Sequence, residues 1–459
     1  MNLRPYQQQA VDELRGAYAQ GARSPLFVLP TGGGKTFTFV YVGQSAVARG
    51  NRVLILVHRQ ELLMQASRSL TAMGVRHGLI ARGHVTTGDQ VQVASVQTLI
   101  RRLGKHRYHF DLIIVDEAHH AIAGSWRKII DALPQARVLG VTATPIRSDG
   151  KGLRDVFDTM VTGPTVQQLI DMGHLVRPVV YAPPTQLDLA GVKRRMGDFD
   201  QAELGKRVDK PTITGSAVEH YRKLCDRQPA IAFCVSVAHA QHVAADFRSA
   251  GYQAKAIDGS MPDAERKQAI EDLGAGRLHV LTSCDIISEG TDIPVVAAAI
   301  LLRPTQSMGL FIQQVGRALR PAPGKDRAII LDHVGNCMRH GLPQDDRDWS
   351  LDGLLDAGKR KRENDVAPVK QCEKCYAVFT PRPVCPVCGH THEIKEREIK
   401  QTEGELQEVD AVTMQRQRKQ EIGKARTLEE LQEVARKRGY KPGWARFIWN
   451  ARQSRNHAA

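Results

Sequence analysis

Short, continuous runs of apolar and β-branched residues alternate with amphipathic stretches along most of the chain. In its first third these runs are LFVL (26–29), VLILV (53–57), VQVAS (91–95), LIIV (112–115) and VLGV (138–141). Runs of this kind are typical of strands buried on both faces of a parallel sheet. Because helical stretches separate them, the runs predict a doubly wound α/β domain.

A second series of apolar runs follows the first. It consists of AIAFCV (230–235), AKAI (254–257), HVLTS (279–283), VVAAAILL (295–302) and AIILD (328–332). We therefore expect two tandem α/β domains with parallel sheets, over residues 1–170 and 171–345. Open α/β sheets bind ligands beyond the carboxyl ends of their strands, so two such domains facing each other would form a cleft.

The chain changes character beyond about residue 345. The stretch DAGKRKREND (356–365) predicts a charged linker, which we assign to residues 346–369. A Cys-rich and Pro-rich block occupies residues 370–392. The remaining residues, 393–459, are polar and then basic, and TLEELQEVARKRG (427–439) has a helical pattern.

The charge of the chain narrows the classes of partner. The formal net charge is +15 and the pI is about 9.5, which favours a polyanion such as nucleic acid. No uncharged apolar run approaches the roughly 18 residues of a membrane helix. The N-terminal stretch MNLRPYQQQAVDELRG lacks the apolar segment of a secretion signal. We expect a cytoplasmic protein with no membrane contact.

The stretch LPTGGGKT (29–36) is typical of a phosphate-binding loop. It directly follows an expected strand, although Leu29 stands where the consensus has its first glycine. Gly32, Gly33 and Gly34 would let successive backbone N–H groups point at phosphate. Lys35 would reach the β- and γ-phosphates, and the Thr36 hydroxyl would ligate Mg²⁺. The alternative is a glycine-rich turn with a surface lysine.

A pair of acidic residues ends another expected strand, in LIIVDEAHH (112–120). Asp116 would supply a second Mg²⁺ contact, usually through water. Glu117 would orient and deprotonate the attacking water. Two acids that cap a helix are the alternative, and the upstream loop makes it less favoured.

Together these motifs resemble those of the superfamily 2 helicases, in which the loop often reads x-P-T-G-x-G-K-T without the first glycine. DEAH (116–119) resembles the second motif of that family, LRPYQ (3–7) its adenine-recognising motif, and VTATP (141–145) its third. The resemblance implies that Arg4, Gln7 and Thr31 bind ATP. It also implies that His119, Thr142, Thr144 and Gln313 couple hydrolysis to movement.

The second half of the chain completes the resemblance, which covers about residues 1–340. SEGTDIP (288–294) resembles the fifth motif, with Gly290 and Asp292 near the ribose and phosphates, and QQVGRALRP (313–321) resembles the sixth. Arg317 and Arg320 would then be arginine fingers that stabilise charge on the γ-phosphate, an effect of about 10³–10⁵ in rate. The family implies two RecA-like domains, with ATP and Mg²⁺ as cofactors.

The overall plan is most similar to the bacterial RadD-type and phage-borne DNA helicases. They share the LRPYQ start, the QQVGR-L-P pattern and a stretch like LDHVGN (331–336). The resemblance implies DNA in preference to RNA, and a bacterial or phage-infected cell. An RNA helicase of the same superfamily and the motor subunit of a nuclease or restriction complex remain open. A binding module with a dead site is disfavoured, because Lys35, Glu117 and the arginines are present.

Five residues match positions where this superfamily contacts the nucleic-acid backbone. They are Arg59, Gln97, Thr98, Ser236 and Thr282. Small polar groups and arginine suit sequence-independent phosphate contacts. Such binding weakens steeply with salt, because phosphate neutralisation releases counterions.

The cysteine block has the spacing of a metal site. Cys372-x₂-Cys375 and Cys385-x₂-Cys388, nine residues apart, would give four thiolates for tetrahedral Zn²⁺ in a small zinc ribbon or knuckle. The alternatives are unrelated thiol pairs or a redox site, and His390 and His392 are less favoured ligands. The module would dock nucleic acid or a protein partner, or serve as a structural clip.

The tail combines positive charge with aromatic residues. Residues 411–459 contain twelve Lys and Arg against four Glu, a net charge of +8. Tyr440, Trp444, Phe447 and Trp449 lie among the basic residues. Either these rings stack on single-stranded bases or they form the core of a small helical hairpin, and the tail is also a candidate surface for protein partners.

Overall fold

The computed structural model describes most of the chain outside its C-terminal quarter. The described residues are 3–120, 124–147, 150–182, 189, 191–195, 197–209, 211–284, 296–353, 368–392, 421–422, 425, 427–438, 443–446 and 448–450. The chain divides into two compact units, Met1–Glu393 and Ile394–Ala459. Among the described residues, no helix is both long and apolar enough to cross a membrane.

The first domain of the larger unit is built on a seven-stranded parallel sheet with the order β3-β4-β2-β5-β6-β1-β7. Its strands are β1 (Pro25–Val28), β2 (Val53–Val57), β3 (His77–Ile80), β4 (Val91–Ser95), β5 (Leu112–Asp116), β6 (Arg137–Thr142) and β7 (Thr159–Thr162). Its helices are α1 (Pro5–Ala19), α2 (Lys35–Val47), α3 (Gln60–Ala72), α4 (Val96–Arg102), α5 (Gly124–Asp131) and α6 (Val166–Asp171).

The second domain is built on an eight-stranded sheet with the order β12-β13-β11-β14-β15-β8-β17-β16. The strands after β7 are β8 (Arg177–Tyr181), β9 (Arg194–Arg195), β10 (Asp198–Phe199), β11 (Ala230–Phe233), β12 (Ala254–Ile257), β13 (Val280–Ser283), β14 (Ala298–Leu301), β15 (Arg327–Asp332), β16 (Lys370–Gln371) and β17 (Ala377–Phe379). The helices after α6 are α7 (Gln201–Val208), α8 (Pro211–Cys225), α9 (Val237–Ser249), α10 (Asp263–Gly274), α11 (Met308–Ala318) and α12 (Asn336–His340). The hairpin β9–β10 forms a sheet of its own.

The central strands are buried on both faces, as their continuous apolar runs predict. In β2, Ile55 packs into one apolar cluster, whereas its neighbour Leu54 packs into another. Both side chains are fully buried, and burying each stabilises the fold by about 1.5–3 kcal/mol. Parallel strands with helices between them confirm the predicted fold class of two doubly wound α/β domains.

The cysteine block shares a sheet with the second domain. Strand β17 pairs antiparallel with β8, with Val378 opposite Val180 and Ala377 opposite Tyr181. The cysteine spacing predicts a small zinc ribbon or knuckle but does not indicate this pairing. Strand β17 covers the edge of β8, whose backbone groups would otherwise lack partners.

The start of the expected linker packs back onto the first domain. Leu351 is buried in an apolar cluster of that domain, and Trp349 packs against it. The Leu351 carbonyl accepts hydrogen bonds from the backbone N–H groups of Leu153 (2.8 Å) and Arg154 (3.0 Å). Arg154 also forms a salt bridge with Asp352. Residues 346–353 thus connect the two domains a second time.

The described residues of the smaller unit include α13 (Leu428–Arg438), the longest helix among them. Trp444 and Trp449 pack against a cluster that contains the buried residue Leu431. This packing favours the helical-hairpin interpretation of these two rings. Tyr440 and Phe447 lie outside the described residues.

Candidate active site

The glycine-rich loop joins β1 to α2 as the sequence predicts. Gly34 caps α2 with a left-handed φ of 91°, a conformation that glycine adopts without steric cost. A Cβ at this position would also lie 2.5 Å from the Gln7 Nε2 atom. Leu29, at the position of the consensus glycine, is fully buried. The loop is therefore an intact variant held by the domain core.

The N-terminal motif LRPYQ forms hydrogen bonds with this loop. The Tyr6 hydroxyl donates to the Gly33 carbonyl at 2.8 Å. Gln7 Nε2 lies 3.4 Å from the carbonyl oxygens of Gly33 and Gly34, and Gln7 Oε1 accepts from the Arg4 backbone N–H at 2.9 Å. Sequence reasoning missed the contribution of Tyr6, and the only signal for it is its place inside LRPYQ.

Two buried carboxylates end β5 beside the loop. Glu117 has a left-handed φ of 50°, which costs a non-glycine residue about 1–3 kcal/mol, and its N–H donates to Asp116 Oδ1 at 3.0 Å. Burial and the neighbouring Glu117 carboxylate raise the pKa of Asp116 to about 7. Burial also lowers the pKa of Lys35, although the two carboxylates act in the opposite direction.

This charge pattern fits a divalent cation and a polyphosphate. Mg²⁺ prefers carboxylate and hydroxyl oxygens, and Asp116 and Thr36 offer them. A cation beside Asp116 would offset the cost of its buried charge, and phosphate oxygens would do the same for Lys35.

Motifs two and three meet through a histidine. His119 Nδ1 lies 3.5 Å from Glu117 Oε2 and 3.2 Å from Thr142 Oγ1. Because the Thr142 hydroxyl donates to the Thr144 carbonyl at 3.0 Å, Thr142 Oγ1 acts as acceptor for His119 Nδ1–H. The Thr144 hydroxyl is buried and has no hydrogen-bond partner among the described residues. It would be 3.2 Å from a Cβ at Gly309 in α11, so the third motif touches the second domain.

The two domains line one cavity of about 450 Å³. From the first domain it is lined by Arg4, Thr31, Gly32, Gly34, Lys35, Thr36, Asp116 and Glu117, and from the second by Gln313, Arg317 and Arg320. His174, which sequence reasoning missed, also lines it, and its ring lies 5.5 Å from that of Tyr6.

Helix α11 and the residues directly after it form the second-domain side of this cavity. Gln313 and Arg317 are buried, and a Cβ at Gly32 would lie 3.6 Å from Arg320 Cγ. The structure therefore brings both predicted arginine fingers to the phosphate-binding loop. Gly290 and Asp292 lie outside the described residues.

The predicted nucleic-acid contacts divide into two groups. Arg59 and Gln97 lie near the carboxyl ends of β2 and β4, and both contact His58. Arg59 Nε donates to His58 Nε2 at 3.3 Å, and Gln97 Nε2 donates to the His58 carbonyl at 3.0 Å. Thr98 follows in α4 and is half-buried. These residues form one polar edge of the first domain.

The two predicted nucleic-acid contacts in the second domain form hydrogen bonds within the domain itself. The Ser236 hydroxyl accepts from the His239 N–H at 3.1 Å and caps α9. Thr282 is fully buried, and its hydroxyl donates to the Ala240 carbonyl at 2.7 Å. The structure thus does not bring Thr282 to the surface, because its hydroxyl holds β13 to α9.

The four paired cysteines form a single cluster. Their sulfur atoms all lie within 4.8 Å of one another, and Cys372–Cys388 and Cys375–Cys385 are separated by 3.6 and 3.7 Å. Zn–S bonds of about 2.3 Å in a tetrahedron separate the sulfurs by about 3.8 Å, so the cluster fits Zn²⁺. His390 and His392 stand outside this four-sulfur set.

The fold and this cleft define a class: a two-domain ATPase with the phosphate-binding loop on one domain and arginines on the other. Residues 1–147 match the family model of the type III restriction enzyme res subunit, and residues 216–322 match that of the helicase conserved C-terminal domain. The chain belongs to the superfamily 2 helicases.

Several relatives share much of the chain. A 51.5 kDa protein of a Lactococcus phage (isolate 7-9) is 35% identical over 383 residues, which cover 83% of this chain and 81% of the phage protein. The putative ATP-dependent helicase IRC3 of Saccharomyces cerevisiae is 33% identical over 358 residues, which cover 72% of this chain. The chain spans only 51% of that yeast protein.

Solved structures share the fold. A fragment of a putative HsdR subunit of a type I restriction enzyme from Vibrio vulnificus YJ016 has a TM-score of 0.59 at 24% identity, and the match covers 73% of this chain and 64% of that fragment. Saccharomyces cerevisiae Dbp5 bound to RNA has a TM-score of 0.51 at 17% identity, with 73% of this chain and 89% of Dbp5 covered. These similarities confirm the RecA-like fold.

Proposed function

We propose that this protein hydrolyses ATP to move along nucleic acid, with DNA as its preferred track. The observation that carries the proposal is the single cavity that contains Lys35, Glu117 and Arg317. A nucleotide there would contact both domains, so its binding and hydrolysis would close and reopen the cleft.

The residues of the cavity have complementary roles in hydrolysis. Lys35 and the loop N–H groups bind the β- and γ-phosphates, and Glu117 accepts a proton from the attacking water. His119 joins the second motif to the third through its hydrogen bond to Thr142. Arg317 and Arg320 stabilise the charge that builds on the γ-phosphate oxygens. Thr36 and Asp116 would hold Mg²⁺, which would supply further neutralisation of the phosphates.

Charge supports a nucleic-acid track of either kind, and the preference for DNA rests on the resemblance to DNA helicases. The net charge of +15 suits a polyanion. One structural relative is a restriction-modification enzyme bound to DNA, with a TM-score of 0.53, whereas Dbp5 is bound to RNA. The resemblance to RadD-type helicases remains a prediction. Because the res-subunit model also matches this chain, a motor that works within a larger restriction complex is the second candidate function.

At the C-terminal side, we propose that Cys372, Cys375, Cys385 and Cys388 bind Zn²⁺. The short separations between their sulfur atoms support this proposal. The ion would hold the β16–β17 hairpin in shape, and β17 would then stay paired with the edge of β8.

The decisive experiment measures ATP turnover with single-stranded, duplex and forked DNA and with RNA. We expect DNA to stimulate turnover more than RNA does, and Glu117→Gln to abolish turnover while nucleotide binding persists. Glu13→Gln, at an exposed position of α1, is the matched control and should turn over ATP normally. Stimulation by RNA alone would exclude the DNA assignment, and normal turnover by Glu117→Gln would exclude the mechanism.

A further inference from the structure

Lys325 has an unusual set of partners in the loop between α11 and β15. Its ammonium group donates to three backbone carbonyl oxygens: those of Val296 at 2.6 Å, Ala318 at 2.5 Å and Arg320 at 2.6 Å. An ammonium group has three donors, so all three are used on the backbone. Lys325 is thus a fixed structural element and not a solvated surface lysine.

One of these carbonyls, that of Ala318, belongs to the last residue of α11, and that of Arg320 lies two residues further along the chain. The last carbonyls of a helix lack partners within the helix and carry the negative end of its dipole, and a lysine ammonium satisfies both needs. The carbonyl between them, that of Leu319, accepts from the Val176 N–H at 2.9 Å. Three successive carbonyls, from Ala318 to Arg320, are therefore held in place.

One of the residues whose backbone Lys325 holds, Arg320, is a predicted arginine finger. Arg320 lines the cavity, and its Cγ lies near Gly32 of the phosphate-binding loop. The third partner of Lys325, Val296, lies two residues before the start of β14. Lys325 thus ties the Arg320 backbone to the central sheet of its own domain. Burial and the nearby Arg320 lower the pKa of Lys325 to about 8.

We propose that Lys325 is a positioning residue that fixes the backbone of Arg320, so that its guanidinium meets the γ-phosphate when the cleft closes. This inference rests on the proposed ATPase function. Lys325 acts through Arg320 and does not itself contact the nucleotide. Its loss would therefore slow the chemical step and leave nucleotide affinity nearly unchanged.

The test compares the steady-state ATPase of the full chain with and without DNA for Lys325→Met, Lys325→Arg, Arg320→Ala and the double variant Arg320→Ala/Lys325→Met. We expect Lys325→Met to lower kcat about tenfold or more, with KM for ATP within about twofold of wild type. Lys325→Arg, which keeps the charge and the donors, should recover most of this loss. Lys223→Met, at an exposed position of α8, is the control for the substitution.

The double variant separates positioning from general stability. If Lys325 acts through Arg320, the double variant turns over ATP within about twofold of Arg320→Ala alone. Full activity of Lys325→Met, or a loss that adds to that of Arg320→Ala, would overturn the inference. If Lys325→Met proves unfolded by thermal melting, Lys325→Gln, a shorter neutral donor, replaces it under the same criteria. Normal turnover by Arg320→Ala would instead remove the arginine-finger assignment itself.

Discussion

Gly316 of α11 lies directly against Thr31 of the phosphate-binding loop. A Cβ at position 316 would be 2.8 Å from Thr31 Cβ, closer than carbon atoms pack. Gly316 lies near the C-terminal end of helix α11 and has no positive φ, so its lack of a side chain makes room for Thr31. The contact places the backbone of the second domain against the loop that would bind the phosphates. The next residue, Arg317, lines the cavity.

We predict that Gly316→Ala slows ATP hydrolysis by about tenfold, because overpacking of about 1–3 kcal/mol would hold α11 away from the loop. Steady-state ATPase assays of the folded variant measure this. Gly16→Ala, in α1 where a Cβ meets nothing within 4 Å, should keep full turnover and be slightly more stable. Equal activity of the two variants would show that the cleft closes without the Gly316 contact.

The sequence predicts those parts of this site that lie in local motifs. Lys35 and Glu117 each follow an apolar run whose strand end can be read directly, and the two strands of a parallel sheet place them at one edge. The hydrogen bond from Tyr6 to Gly33 and the pairing of β17 with β8 join residues far apart in the chain, and no local pattern reports them. Thr282 fails as a surface contact for the same reason, because its burial depends on α9.

The polar edge around His58 predicts a specific loss on substitution of Arg59. Arg59→Ala should weaken nucleic-acid binding and lower the slope of log affinity against log salt by about one, the share of one phosphate contact. Fluorescence anisotropy over a salt series gives this slope. Arg68→Ala, an exposed position in helix α3, which Arg59 directly precedes, should change neither value. If Arg59→Ala leaves the slope unchanged, the bound nucleic acid does not contact Arg59.

The zinc proposal predicts that loss of the metal leaves ATP turnover intact while it lowers stability. Cys385→Ser should greatly reduce bound zinc, measured by elemental analysis, because three thiolates bind Zn²⁺ less tightly than four. It should also lower the melting temperature, because β17 would lose its support at the β8 edge. ATP turnover at 25 °C should persist, since the cysteines lie outside the cavity residues. A folded, zinc-free variant without turnover would contradict this separation.

Two buried histidines near the end of the second domain make its stability sensitive to acid. Burial and the neighbouring His220 lower the pKa of His333 to about 3, and burial lowers that of His340 to about 4. A histidine in the unfolded chain has a pKa near 6.5. Below that pH the unfolded chain therefore binds protons at these two positions, whereas the folded chain does not. The stability from these neutral histidines is complete above pH 6.5 and is lost as the pH falls towards about 4.

We therefore predict that the melting temperature falls as the pH drops from 7 to 5, and that His333→Gln falls less steeply because glutamine does not titrate. Each histidine contributes a slope that approaches about 1.4 kcal/mol per pH unit over this window. Thermal melts at pH 7, 6 and 5 provide the comparison, with each variant referred to its own value at pH 7. His109→Gln, whose ring is largely exposed, should follow the wild-type slope. Parallel curves for wild type and His333→Gln would mean that His333 takes up its proton without unfolding the domain.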